Sequence, residues 1–118
     1  MLSLPPQLIS VSLDDNAPKL TVTADLAATL RLSAQRALWG QVPRSLRAVS
    51  VAAAEHQIHF RCYFDAGASE DERQLLSEAA TDIVADFSAP WTISEEYLDL
   101  AAPQAMQHLE HLIFLRHE

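Results

Sequence analysis

SEDERQLLSEAATDIVADF, Ser69 to Phe87, reads as one amphipathic helix. Leu75, Leu76, Ala79, Ala80, Ile83, Val84 and Phe87 recur at the period of a helix lying on a core. Ser69 and Glu72 have capping-box spacing, in which the Ser hydroxyl accepts the N–H of the third helical residue. Gly67 precedes the helix and Ala89–Pro90 breaks it. Glu70, Asp71 and Glu72 sit at the positive end of the helix dipole, a structural reason to be acidic. Glu78, Asp82 and Asp86 have no such reason, and Asp86 lies near the negative end. At roughly 100° per residue, Asp71, Glu78, Asp82 and Asp86 share one narrow stripe. The four-apart pairs Glu78–Asp82 and Asp82–Asp86 each cost an isolated helix about 0.2–0.5 kcal/mol. A single Arg73 and no Lys offset them. An uncompensated stripe of this kind points to a surface kept for a basic partner. The bland alternative is a solvated face on an acidic protein.

Working outward, QIHFRCYF (Gln57–Phe64) alternates as a strand. Ile58, Phe60, Cys62 and Phe64 share one face; His59, Arg61 and Tyr63 share the other. LRAVSV (Leu46–Val51) reads as its pairing partner. The loop between them lacks the Asn-Gly of a tight hairpin, so register is open. Asp25 to Val42 reads as a helix, with Leu26, Leu30, Ala34, Ala37 and Leu38 on its apolar stripe and Gly40 and Pro43 as its stop. WTISEEYLDL (Trp91–Leu100) reads as a strand, with Glu95, Tyr97 and Asp99 on one face and Glu96, Leu98 and Leu100 on the other. If that strand lies beside the acidic helix, Glu95, Glu96 and Asp99 extend the stripe. Pro103 to Arg116 fits a helix, and HLIFLRH (His111–His117) fits a strand equally well. Residues 1–24 form an extension or a hairpin of Ile9–Leu13 with Leu20–Val22 around DDNAP; residues 25–118 form a single α+β domain.

A chain of 118 residues suits one domain, and a 49 % hydrophobic, 20 % charged composition excludes disorder. The net charge of −8 is uneven. Residues 1–64 carry +2, from six basic groups and four acids; residues 65–118 carry −10, from two basic groups and twelve acids. That polarity argues against nucleic acid and against an anionic membrane surface, both of which need clustered Lys and Arg. It suits a cationic protein partner steered by electrostatics. The N-terminus lacks the charged n-region of a signal peptide, and no run approaches a membrane span, so a cytoplasmic protein is expected.

The sequence offers no convincing catalytic site, metal site or cofactor motif. Cys62 is the only cysteine and sits on an apolar strand face, as a core thiol would. His56 and His59 face opposite ways on a strand and cannot share a metal. The two glycines, Gly40 and Gly67, cannot build a nucleotide-binding fingerprint. Trp39 and Trp91 both flank chain breakers and read as core-edge residues. Either becomes an interface anchor if exposed beside the carboxylates.

SAQRALWGQVPRSLRAVSV (Ser33–Val51), IHFRCYFDAGASEDER (Ile58–Arg73), ATDIVADF (Ala80–Phe87), EEYLDL (Glu95–Leu100) and FLRHE (Phe114–Glu118) carry a resemblance. The chain resembles small acidic bacterial immunity proteins of contact-dependent growth inhibition and polymorphic-toxin systems. The resemblance implies the order α-β-β-α-β-β, a small mostly antiparallel sheet packed by two helices, and a strand over residues 111–116. It departs at the first 24 residues and at AAPQAMQH (Ala101–His108), where a short polar turn is expected. It implies a non-enzymatic protein that binds and neutralises a cognate toxin, and the charge polarity makes a cationic toxin of nuclease type the expected partner. The expected contact residues are Asp71, Glu78, Asp82, Asp86, Glu95, Glu96 and Asp99. An acidic adaptor or regulatory module and a small hydrolase are the competing readings.

Overall fold

The alternation in Gln57–Phe64 sets the frame. The computed structural model describes residues 19–118, with side chains from residue 25 onward. Its elements are α1 (Lys19–Ala37), β1 (Leu46–Ala54), β2 (Gln57–Phe64), α2 (Glu70–Ala85), β3 (Thr92–Asp99) and β4 (His111–Leu115). The α-β-β-α-β-β order is the expected one. Ile58, Phe60, Cys62 and Phe64 of β2 are buried with Leu46, Val49 and Val51 of β1. Leu30, Ala34, Ala37 and Leu38 of α1 and Leu76, Ala79, Ala80 and Ile83 of α2 complete that core. Both helices therefore cover one face of the sheet.

The strand order is β3-β2-β1-β4. β1 pairs antiparallel with β2 and with β4, and β3 runs parallel to β2. The sheet is thus mixed and mostly antiparallel. A parallel neighbour requires a crossover, and α2 is that crossover. It puts α2 beside β3, the adjacency that the acidic-stripe reading assumes.

Two local differences from the sequence reading have physical causes. α1 begins at Lys19 and ends at Ala37, not Asp25 and Val42. Leu20 and Val22 thus belong to a helix; one alternating pair is too short to separate a period of two from one of 3.6. The other expected hairpin arm, Ile9–Leu13, lies outside the described residues. The β1–β2 connection is a tight two-residue turn despite lacking Asn-Gly. Glu55 and His56 adopt φ of 53° and 64°, the left-handed conformation that matches strand twist. For residues with side chains this costs on the order of 1–3 kcal/mol each. The turn is braced from β3: Thr92 N–H donates to the His56 carbonyl at 3.1 Å, and the His56 ring meets Trp91 edge-on at 5.3 Å. Residues 111–115 are the strand that the resemblance implies, and the alternative helix over Pro103–Arg116 does not form.

AAPQAMQH finds its role in the topology. β3 and β4 occupy opposite edges, so their connection must cross two strands. It does so on the face the helices leave open. The Gln107 carbonyl accepts from Arg61 Nη1 (2.8 Å) and Tyr63 Oη (3.0 Å), and Leu109 N–H donates to Ser50 Oγ (2.9 Å). Arg47 secures the start of this strap. Between Leu46↔Phe64 and Ala48↔Tyr63, β1 carries one residue more than β2, so Arg47 sits in a bulge, a device that re-aims a side chain. Its side chain is only 2 % exposed. It donates to the carbonyls of Leu100 (2.6 Å) and Gln104 (3.0 Å) and grips Glu118 through both carboxylate oxygens at 2.7 and 2.9 Å. Arg116 adds bonds to Asp65 (2.8 Å) and Glu118 (3.0 Å). The Glu118 hydrogen bond raises the Arg47 pKa despite burial, and Arg47 in turn lowers that of Glu118.

Candidate functional site

The helix carrying the acidic stripe is built as its sequence dictates. Ser69 caps α2: its Oγ accepts from Glu72 N–H at 3.1 Å, and Glu72 Oε1 accepts from Ser69 N–H at 2.9 Å. Ser45 also donates to that Glu72 oxygen, and these bonds lower the Glu72 pKa. Leu76, Ala79, Ala80 and Ile83 face the sheet. Asp71, Glu78, Asp82 and Asp86 are all exposed, along the flank of α2 that borders α1.

That flank is more compensated than the sequence implies. Asp86 accepts from Ser33 Oγ at 2.6 Å and lies 3.5 Å from Arg36 Nη2, both on α1. The hydroxyl and the guanidinium offset its place at the negative end of α2. The ion pair is half exposed on both sides, so it contributes at most about 1 kcal/mol. Asp86 thus tethers the helices. Gln41 donates to Glu78 Oε1 at 3.1 Å and to the Leu75 carbonyl at 3.0 Å. Asp82 joins Ser33, Arg36, Ala37, Ala85 and Asp86 around an open groove of about 320 Å³ between the helices. No side-chain partner engages Asp71 or Asp82 in the hydrogen bonds among the described residues.

The β3 carboxylates lie elsewhere. At roughly 100° per residue, Arg73 is half a turn from Asp82, on the flank of α2 that faces β3. There it binds Asp99 at 2.6 Å. Glu95 shares this side of the strand and accepts from Tyr97 Oη; burial first, then this carboxylate, pushes the Tyr97 pKa up. Glu96 points to the strap face, where Arg61 Nε binds it at 2.7 Å. Of the seven carboxylates, the fold groups Asp71, Glu78, Asp82 and Asp86 on one flank. It sets Glu95 and Asp99 on the other flank and sends Glu96 to the far side of the sheet.

Trp39 is 75 % exposed at the end of α1, against 52 % for Leu32 and 44 % for Val42. Trp91 instead packs on Phe87 and His56. A family model described as MafI2 immunity protein matches residues 27–118. The chain belongs to the MafI2 immunity protein family. The match spans every strand, α2 and most of α1, so both flanks of the helix pair lie inside it. None of the curated proteins compared with the chain matches it.

Sequence reasoning about this MafI2 family member missed Leu32 and Val42. The signal was present, since Leu32 falls off the apolar stripe of its helix. It also missed Ser33 and Gln41, whose roles depend on α2 lying alongside. Among the described residues, no three His, Cys, Asp or Glu side chains cluster as a metal would require. Cys62 is buried, and burial raises its pKa well above the ordinary thiol value. Among the described residues, no helix is long and apolar enough to cross a membrane.

Proposed function

We propose that this protein acts in the cytoplasm as a stoichiometric inhibitor of a cognate toxin, without turnover. The toxin is cationic and of nuclease type. Asp71, Glu78, Asp82 and Asp86 occupy its substrate-binding surface, standing where nucleic-acid phosphates would lie. The family match supports immunity, and the observation that carries the choice of face is Asp82: exposed, on the groove rim, between two like charges, and paired with no cation among the described residues. Glu78 and Asp86 bond to Gln41 and Ser33, whereas Asp82 only adds repulsion towards both, so retaining it there brings no folding benefit. Glu95, Glu96 and Asp99 have local partners and serve as a periphery that adds long-range field.

The test replaces Glu78 with Gln and Asp82 with Asn together. Stability should hold or rise by a few tenths of a kcal/mol, because repulsion is relieved. Affinity for the toxin should fall by about 2 kcal/mol, chiefly as slower association with a weaker dependence on salt. Asp14→Asn with Asp15→Asn, outside the described residues, removes the same two charges and is the control. An equal loss in both variants would mean that net charge alone acts, and would remove this flank as the contact.

A further inference from the structure

A single exposed apolar side chain is ordinary. Trp39 differs because its platform is fixed. Leu38 beside it is buried in the core. Trp39 N–H donates to the Arg36 carbonyl at 3.1 Å, and Gln41 N–H donates to the Leu38 carbonyl at 2.9 Å. Gly40, at φ +76°, supplies the left-handed turn that ends the helix. The Gln41 side chain then ties the turn to α2 through the Leu75 carbonyl and Glu78. Trp39 therefore projects from a turn whose backbone is bonded on both sides, so seating it in a partner would order little besides its own side chain. Leu32, two helical turns earlier, lies on the same outward face, and Val42 follows the turn.

One of these anchoring bonds ends on a member of the acidic stripe. The apolar corner and the carboxylates of α2 thus share one rigid surface, with an aromatic anchor beside charged neighbours. Interfaces concentrate their energy in such anchors, while surrounding charges set encounter. We infer that Trp39, supported by Leu32 and Val42, is the principal anchor for the toxin. The matching toxin surface holds an apolar pocket rimmed by Lys and Arg. This rests on the toxin-binding reading above and adds a division of labour: Trp39 governs dissociation, and the carboxylates govern association.

The experiment uses the 118-residue chain and a purified basic toxin domain that it binds, with rates measured over a range of salt. Trp39→Ala should raise the dissociation rate about thirtyfold, leave association within threefold, and keep the salt dependence. Trp39→Phe should recover part of the loss. Thermal melting should stay unchanged, since the indole is largely outside the core. If the unaltered protein binds and Trp39→Ala binds as well, the anchor is refuted while the acidic-surface reading stands. If Trp39→Ala instead converts a dimer to a monomer in sedimentation with toxin binding intact, the occupant is a second copy and the inference falls. Failure of the unaltered protein to bind any basic toxin domain would overturn both.

Discussion

Arg47→Met is the sharpest probe of how the strap is held. Met matches the apolar stem of Arg47 and removes the guanidinium. The carbonyls of Leu100 and Gln104 then lose their donor, and Glu118 keeps only Arg116. Removing one partner of a fully buried ion pair costs about 3–5 kcal/mol. Here Glu118 is 27 % exposed and can be rehydrated, so its share shrinks. Each stranded carbonyl still costs about 1 kcal/mol or more. The expected loss is about 2–4 kcal/mol, or a fall of about 10 °C in Tm. Urea unfolding followed by far-UV circular dichroism and tryptophan fluorescence measures it. Glu118→Gln should lose less, because its amide oxygen still accepts from Arg47 and the guanidinium keeps both carbonyls. A Met variant as stable as the parent would refute the reasoning: desolvating the cation would then cost as much as its four bonds return.

Two further outcomes are expected. Arg116 first, then the N–H groups of Ala66 and Ala102, hold the Asp65 carboxyl at about 2, against an ordinary value of 3.8. Because the folded value is depressed, its stabilisation is complete above about pH 4 and is lost as pH falls towards 2; urea midpoints across that range should drop, and Asp65→Asn should flatten the drop. Ser69→Ala should destabilise α2 by about 1 kcal/mol through loss of the capping box, read as a shifted urea midpoint with unchanged slope; an unshifted midpoint would mean that Ser45 alone secures Glu72.

The elements visible in the sequence are those whose signal is local. The capping box and apolar period of Ser69–Phe87 placed α2, and the strict alternation of Gln57–Phe64 placed β2 and its buried face. What was not legible depends on residues far apart in the chain. Alternation in WTISEEYLDL already sets Glu95 and Asp99 opposite Glu96, but nothing in it says that the strand pairs with β2 in parallel, so which face meets α2 and which meets the strap is not legible. Arg47 looked like an ordinary strand residue; its burial follows from a bulge and from partners more than fifty residues away. The stripe itself was found, but Asp86 looked uncompensated because Ser33 and Arg36 meet it only once α1 and α2 pack together.

The sheet divides the molecule's obligations between its two sides. The strap side holds the long-range ties, with Arg47, Ser50, Arg61 and Tyr63 gathering residues 100–109 over β1 and β2. The outer flank of the helix pair contributes little to these ties: Trp39, Asp71 and Asp82 take no part in them. Sequence change on that flank is therefore cheap in folding terms. Under the proposed toxin contact, a lineage could rewrite its specificity on this flank, in step with a changing adversary, while the far side of the sheet keeps the architecture constant.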